Sequence, residues 1–183
     1  MSIWDYQRRT FTYIAGDWTG DRDAIDKILS WNDGNRWNLH FKNVHEMTQS
    51  YDSSNNCSIK SSLAKRMRIS KTFVLVVGSE TDKLRSGACY LCEHYSNNMF
   101  TYGPLCRLGY NVDNRSYIKY EVSLAKAAYD RSEMDIIVLY KSVNVNKSLC
   151  PEPLRHIGKH VPMLKWQNHA RIWDYYSVRD AIG

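Results

Sequence analysis

The sequence predicts an α/β domain with a central, mostly parallel sheet and helices on both of its faces. Three observations carry this. Thr72–Val77 and Asp135–Tyr140 are continuous apolar runs, the pattern of strands covered on both sides. Helix-periodic stretches alternate with strand-like ones along the chain. That alternation breaks once, over an irregular stretch from about 80 to 115.

Taken in order, Thr10–Gly16 is rich in aromatic and β-branched residues and is stopped by glycine, which predicts the first strand. A loop dense in Gly and Asp follows, from Asp17 to Asp23. From Ala24 to Trp31, the residues Ile25, Ile28 and Leu29 fall at helical spacing with Asp23 as N-cap, and Asn32-Asp33-Gly34-Asn35 ends that helix. Trp37, Leu39 and Phe41 alternate with polar residues and predict a second strand with one buried face. His45–Asn56 is polar and reads as a loop. Ser58–Ser70 places Ile59, Leu63 and Met67 along one side of a helix. The strand Thr72–Val77 then runs to Gly78. The irregular stretch holds three of the five cysteines and reads as an insertion, about 82–113, in a single domain spanning 1–183. A helix from Ser116 to Asp130 offers Ile118, Val122, Ala125 and Tyr129, and Asp135–Tyr140 is the next strand. The tail carries Pro151 and Pro153, a short turn or helix, a last strand near Val161–Leu164 and a terminal helix from about Ile172 to Ile182. In sheets of this kind ligands bind at the carboxyl ends of the strands, here the loops after Gly16, Val44, Gly78 and Tyr140.

Composition narrows the function classes. The apolar fraction of 43% and charged fraction of 24% are those of a soluble globular protein. The start, Met1–Arg9, is polar and unlike a signal peptide, and no window approaches the ~20 apolar residues of a membrane span. A cytoplasmic protein without a membrane partner is expected, with its five cysteines as thiols or metal ligands. The net charge of +6 and pI near 9.0 suit an anionic metabolite or nucleic acid. The charges are scattered, however. The densest basic stretch, Lys65-Arg66-Met67-Arg68, reads as the solvated face of a helix, which argues against a nucleic-acid partner.

Few residues stand out for chemistry. Glu121 falls near the start of the helix after the insertion, with Tyr117 four residues earlier on the same face. The helix dipole there favours an ionised carboxylate; from position alone, an exposed helix glutamate is the plainer reading. Asp17, Trp18, Gly20 and Asp21 sit at a strand's carboxyl end, where a base or ribose could lie, or form a turn that caps the helix. There is no G-x-G-x-x-G and no Walker loop. His45 either touches substrate or orders its loop. Cys89-Tyr90-Leu91-Cys92-Glu93-His94 with Cys106 offers Cys89, Cys92 and Cys106 to a structural zinc, with His94 or Cys150 as fourth ligand. A reduced, partly buried cysteine cluster is the alternative. Cys57 reads as a packed residue.

Short segments in a fixed order carry a family resemblance. Tyr13-Ile14-Ala15-Gly16-Asp17 comes first, then Asn56-Cys57-Ser58-Ile59-Lys60 with Arg66 and Ser70-Lys71-Thr72-Phe73-Val74. Gly78-Ser79-Glu80-Thr81 is next, then Arg115-Ser116-Tyr117-Ile118-Lys119-Tyr120-Glu121-Val122, and finally Cys150-Pro151-Glu152 with His160-Val161-Pro162. This order resembles bacterial TIR-like domains of the type found in Thoeris antiphage defence. In them an apolar strand and a Gly-x-x-Thr turn lead to an aromatic-x-x-x-Glu helix. Two positions depart from that pattern: Tyr117 replaces the common Trp, and Asn43 the first carboxylate of Asp-Ala-His-Asp.

The resemblance implies a three-layer flavodoxin-like fold and cleavage of the nicotinamide–ribose bond of NAD⁺, with Glu121 catalytic. Asp17, Trp18, His45, Ser79 and Tyr117 are the candidate substrate-binding residues. No cofactor is required beside NAD⁺ as substrate. The product would be an ADP-ribose-derived signal, linear or cyclic, read by a separate effector protein. Self-association or a phage-derived trigger would switch it on. One carboxylate suffices for the chemistry. Ordinary glycoside hydrolysis needs a second carboxyl to protonate the leaving oxygen, whereas the nicotinamide of NAD⁺ is a cationic pyridinium that leaves neutral. The alternative functions are a TIR-like interaction module without catalysis, a nucleic-acid binder and a nucleoside-processing enzyme.

Overall fold

The two apolar runs lie side by side. In the computed structural model, which describes residues 11–34, 39, 41–44, 55–97 and 103–183, β3 (Ser70–Val77) and β6 (Asp135–Tyr140) pair in parallel from Thr72↔Asp135 to Val77↔Tyr140. They are the centre of a five-stranded parallel sheet that also holds β1 (Phe11–Ala15), β2 (Lys42–Asn43) and β7 (Lys159–Pro162), in the order β2-β1-β3-β6-β7. The chain steps outward from β1 to β2 and then returns to β3 on the other side of β1. The β1/β3 boundary is therefore the topological switch point, where such sheets open a crevice at the strands' carboxyl ends.

Strand period two sends neighbouring side chains to opposite faces, and both faces are covered. Tyr13, Phe73, Leu75 and Val138 pack with Leu63 and Met67 of α2 (Asn56–Ile69) and with Ile118, Val122 and Ala125 of α3 (Tyr117–Asp130). Ile14, Val74, Val76 and Leu139 face the other way, against Ile25, Ile28 and Trp31 of α1 (Arg22–Asp33) and Tyr175 and Val178 of α4 (Tyr175–Ile182). Burial on both faces explains why these strands read as unbroken apolar runs. On the β6–β7 side, the Tyr140 hydroxyl lies 2.8 Å from Nδ1 of His160, whose Nε2 reaches the Leu154 and Ile157 carbonyls. Nε2 thus donates, and Nδ1 accepts from the tyrosine.

Several boundaries differ from the sequence expectation, each for a local reason. Helix α1 starts two residues before Ala24, with Asp21 rather than Asp23 at its N-cap. The Asp21 side chain does not cap the helix, because its carboxylate turns to Thr81 and Lys141. The second strand is only Lys42–Asn43. Phe41 spends its backbone N–H and C=O on the side chain of Asn32, at 2.8 and 3.0 Å, and so starts no ladder with β1. Leu39 is buried as expected, and Trp37 lies outside the described residues. At the other end Ile172 is not helical. β8 (Leu164–Gln167) and β9 (Ala170–Trp173) form an antiparallel hairpin around Asn168 and His169, both at positive φ (49° and 62°). That is the pair of left-handed residues a type I′ turn needs. A second short antiparallel pair, β4 (Tyr95–Ser96) and β5 (Leu105–Cys106), lies between β3 and α3. Among the described residues no helix is long and apolar enough to cross a membrane.

Gly158 leads into β7 at φ +74°, where a Cβ would stand 2.4 Å from the Ile136 carbonyl oxygen. Gly158→Ala is expected to cost about 2–3 kcal/mol of stability. Urea denaturation should show a lower midpoint at unchanged slope; a midpoint equal to that of the wild type contradicts the close approach.

Candidate active site

Helix α3 starts at Ser116, whose Oγ accepts the Lys119 N–H. Ile118, Val122 and Ala125 define its buried stripe, and Glu121 lies on that stripe, 7% exposed. This corrects the plain expectation of an exposed helix glutamate. The carboxyl meets β1 instead of water. The hydroxyl of Tyr13, itself 0% exposed, donates to Glu121 Oε1 at 2.5 Å. The Tyr13 ring is held by Phe73, with ring centroids 5.8 Å apart and planes at 27°. Arg66 of α2 is buried nearby and adds positive charge. Burial pushes the Glu121 carboxyl up to about 7, against the opposing pull of the Tyr13 hydrogen bond and the Arg66 charge. Burial and the neighbouring carboxylate raise the Tyr13 phenol as well, so it remains a donor.

The start of α3 is tied to the preceding segment and to α2. The Tyr117 N–H donates to the Ser86 carbonyl, and its hydroxyl donates to Asn56 Oδ1 at 2.8 Å. Asn56 in turn donates to the Ala88 carbonyl. Gly87, at φ +93°, lies flat on the Tyr117 ring; a Cβ there would come within 2.4 Å of it. Below this, Lys60 is 3% exposed and donates to the carbonyls of Asp113 and Arg115 at 2.7 and 2.6 Å. Burial alone would raise the Asp113 carboxyl. Hydrogen bonds from Arg115 and the Lys60 charge overcome that and hold it at about 2. Tyr117 thus shares a helix with Glu121 but spends its hydroxyl on holding the helix start.

A second polar centre occupies the switch point. Asp17 Oδ1 accepts the Thr19 N–H at 2.9 Å, and its carbonyl accepts the Asp21 N–H, so the first loop is a closed turn. Trp18 is 45% exposed there, and Ser79 is exposed in the turn after β3. Between them, Thr81 Oγ1 accepts the Gly78 N–H at 2.8 Å and approaches buried Asp21 at 3.5 Å. Lys141, from the end of β6, pairs with Asp23 at 2.6 Å and lies 3.8 Å from Asp21. Gly78 is required here, since a Cβ would sit 2.2 Å from Asp21 Oδ1. The loop that carries Asp17 and Trp18 and the turn that carries Ser79 are therefore joined through Asp21 and Thr81. Glu121 touches β1 lower down, at Tyr13, about 13 Å of extended chain before Asp17. His45 lies outside the described residues. Tyr13 and Arg66 are the site residues to which sequence reasoning gave no role. Asp21 was already a candidate of the Gly/Asp loop, whereas Tyr13 and Arg66 carried the signals of a strand and a basic helix face.

The cysteines are arranged differently from the expected zinc set. Cys89 and Cys106 pack with Cys57, from the first turn of α2, and with Tyr95 and Val112. The Cys57 and Cys89 sulfurs are 3.3 Å apart, and Cys89 also accepts the Asp113 N–H. Cys92 is half-buried at the end of the turn Cys89–Leu91 and is not part of the cluster. Burial and the neighbouring sulfurs push the Cys57 thiol up to about 12. Among the described residues no group of three or more His, Cys, Asp or Glu is placed to hold a metal ion.

Compared with known proteins, residues 11–86 match the family model described as "Thoeris protein ThsB, TIR-like domain". The matched segment includes Tyr13, the switch-point crevice and the turn after β3; Glu121 lies beyond it. No match to the chain is found among curated proteins.

The raised carboxyl has a consequence for stability. Folded Glu121 keeps its proton up to about 7, whereas the unfolded chain releases it near the ordinary 4.5. The unfolded state thus binds fewer protons between those values, and stability falls as pH rises through that window. The loss should be on the order of 3 kcal/mol, level above pH 7 and absent in Glu121→Gln. Denaturant unfolding of both proteins from pH 4.5 to 8 measures it; parallel curves contradict the buried carboxyl.

Proposed function

We propose, from the match of residues 11–86 to the ThsB-type TIR-like domain, that the chain cleaves the nicotinamide–ribose bond of NAD⁺ in antiphage defence. One observation carries the catalytic part: a buried carboxyl, Glu121, held by Tyr13 where α3 crosses β1. Nicotinamide leaves NAD⁺ as a neutral base, so no acid is needed to expel it. The developing positive charge is on the ribosyl carbon and ring oxygen. A carboxylate in a water-poor site stabilises that charge far better than one in solvent, because its field is less screened. It can also accept hydrogen bonds from ribose hydroxyls and so orient the sugar. The ribosyl cation is then captured by water or by a group of the substrate itself, giving linear or cyclic ADP-ribose products.

The remaining roles follow from position. Trp18 offers an exposed ring on which a base can stack, with Asp17 next to it in sequence and Ser79 in the turn after the neighbouring strand. Tyr117 fixes the start of the helix that carries Glu121. The carboxyl's slight exposure suits an enzyme that rests until self-association or a phage-derived trigger opens it. The product would act in the cytoplasm on a separate effector.

A second reading is an interaction module without catalysis. The same pairing with Tyr13 favours it, because a purely structural carboxyl would also be buried and hydrogen-bonded.

Nicotinamide release separates the two. Purified protein, and lysate of phage-challenged cells expressing it, are incubated with NAD⁺ and followed by mass spectrometry. Glu121→Gln is expected to lower release by roughly 100-fold or more. The product mass distinguishes hydrolysis from cyclisation. Release equal to the mutant's in both samples would establish the interaction module instead.

A further inference from the structure

We propose that Tyr13 is a positioning residue for this chemistry, holding the Glu121 carboxylate by Oε1 so that Oε2 is presented to the substrate ribose. The inference rests on the catalytic reading of Glu121. Its basis is geometric. The Tyr13 ring is fully buried in the core beneath α3 and stacked on Phe73, so its hydroxyl has a fixed position. The 2.5 Å separation from Oε1 falls in the range of a charge-assisted O–H···O⁻ bond. Among the described residues no hydrogen bond reaches Oε2. Glu121 as a whole keeps 7% of its surface exposed. The two oxygens are therefore unequal: Oε1 is anchored in the core by Tyr13, and Oε2 takes no hydrogen bond among the described residues.

The core itself does not require the hydroxyl. Phenylalanine would fill the same apolar space, whereas a buried phenol costs free energy unless its O–H is satisfied. Glu121 is the acceptor that satisfies it. Among the described residues, few charged or titratable groups act on the pair. Arg66 on α2 favours the ionised carboxylate, and Tyr120 on α3 acts on Tyr13. The other elements packed on α3 bring Asp82, Lys83, Asp135, Tyr140 and Glu152, none of which acts on the Glu121 carboxyl. Tyr13 is thus the one hydrogen-bond donor to the carboxyl among the described residues.

The test is the titration of the Glu121 carboxyl by infrared difference spectroscopy against Glu121→Gln, in wild type and Tyr13→Phe, together with the pH profile of nicotinamide release. Removing the donor should move the carboxyl titration to higher pH. The acid limb of kcat should move with it, so that the rate on that limb falls about tenfold for each pH unit the titration moves. KM for NAD⁺ should stay within roughly twofold of wild type. A purely structural tyrosine would lower kcat evenly across pH and leave the titration in place, which would overturn the proposal. Because Tyr13→Phe could misfold, 3,5-difluorotyrosine at position 13 gives a second arm. Its more acidic phenol is a stronger donor and should move the titration to lower pH. An unmoved titration in an active enzyme refutes the role of Tyr13, whereas a wild type that releases no nicotinamide refutes the catalytic reading beneath it.

Discussion

A carboxyl group withdrawn from water must find its hydrogen bonds inside the protein, and much of this structure is arranged around that constraint at Glu121. The bond from Tyr13 spans 108 residues of sequence and joins the first strand to the helix that follows the insertion. It forms only because β1 lies next to the central strand β3, with α2 and α3 on that face of the sheet. The buried stripe of α3 would be wholly apolar without Glu121. Placing an acid there costs stability when it ionises, and Arg66 and Tyr13 offset part of that cost. Such a cost is typical of sites where chemistry, rather than packing, selects the residue.

The polar groups around this pair divide the labour. Lys60, itself buried, binds two backbone carbonyls just before α3, which fixes where the helix starts. Asn56 and Gly87 clasp Tyr117 from either side. The Cys57–Cys89 contact and the Asp113 N–H bond to Cys89 secure the segment between β3 and α3 against α2. The switch-point crevice is organised separately, by Asp21, Thr81 and Lys141. Under the proposed function, an NAD⁺ molecule would be long enough to use both regions, with the reacting ribose over Glu121 and another part near Trp18.

Much of this was legible in the sequence where the signal is local. The runs Thr72–Val77 and Asp135–Tyr140 become β3 and β6, the second with the same bounds, because strands buried on both faces need unbroken apolar residues. Ser116 announced α3 because an N-cap serine is a short-range signal. The long-range features were not legible. Tyr13 reads as any aromatic strand residue until the fold puts its hydroxyl against an acid. Cys57 could not be joined to Cys89 and Cys106 by spacing alone, so the nearer C-x-x-C suggested zinc. The β8–β9 hairpin was missed because Asn168-His169 lacks the glycine that usually marks a type I′ turn. The family model, for its part, covers the crevice and Tyr13 but stops before Glu121.

Under the proposed function, the scissile ribose of NAD⁺ lies against the carboxyl of residue 121. A crystal structure of the Glu121→Gln protein with NAD⁺ bound tests it most directly. Ribose hydroxyls of the nicotinamide half are expected within about 3 Å of the side chain at position 121, with Tyr13 still bonded to its inner atom. NAD⁺ seated wholly in the crevice beside Asp17 and Trp18, with its nicotinamide ribose out of reach of position 121, would contradict it.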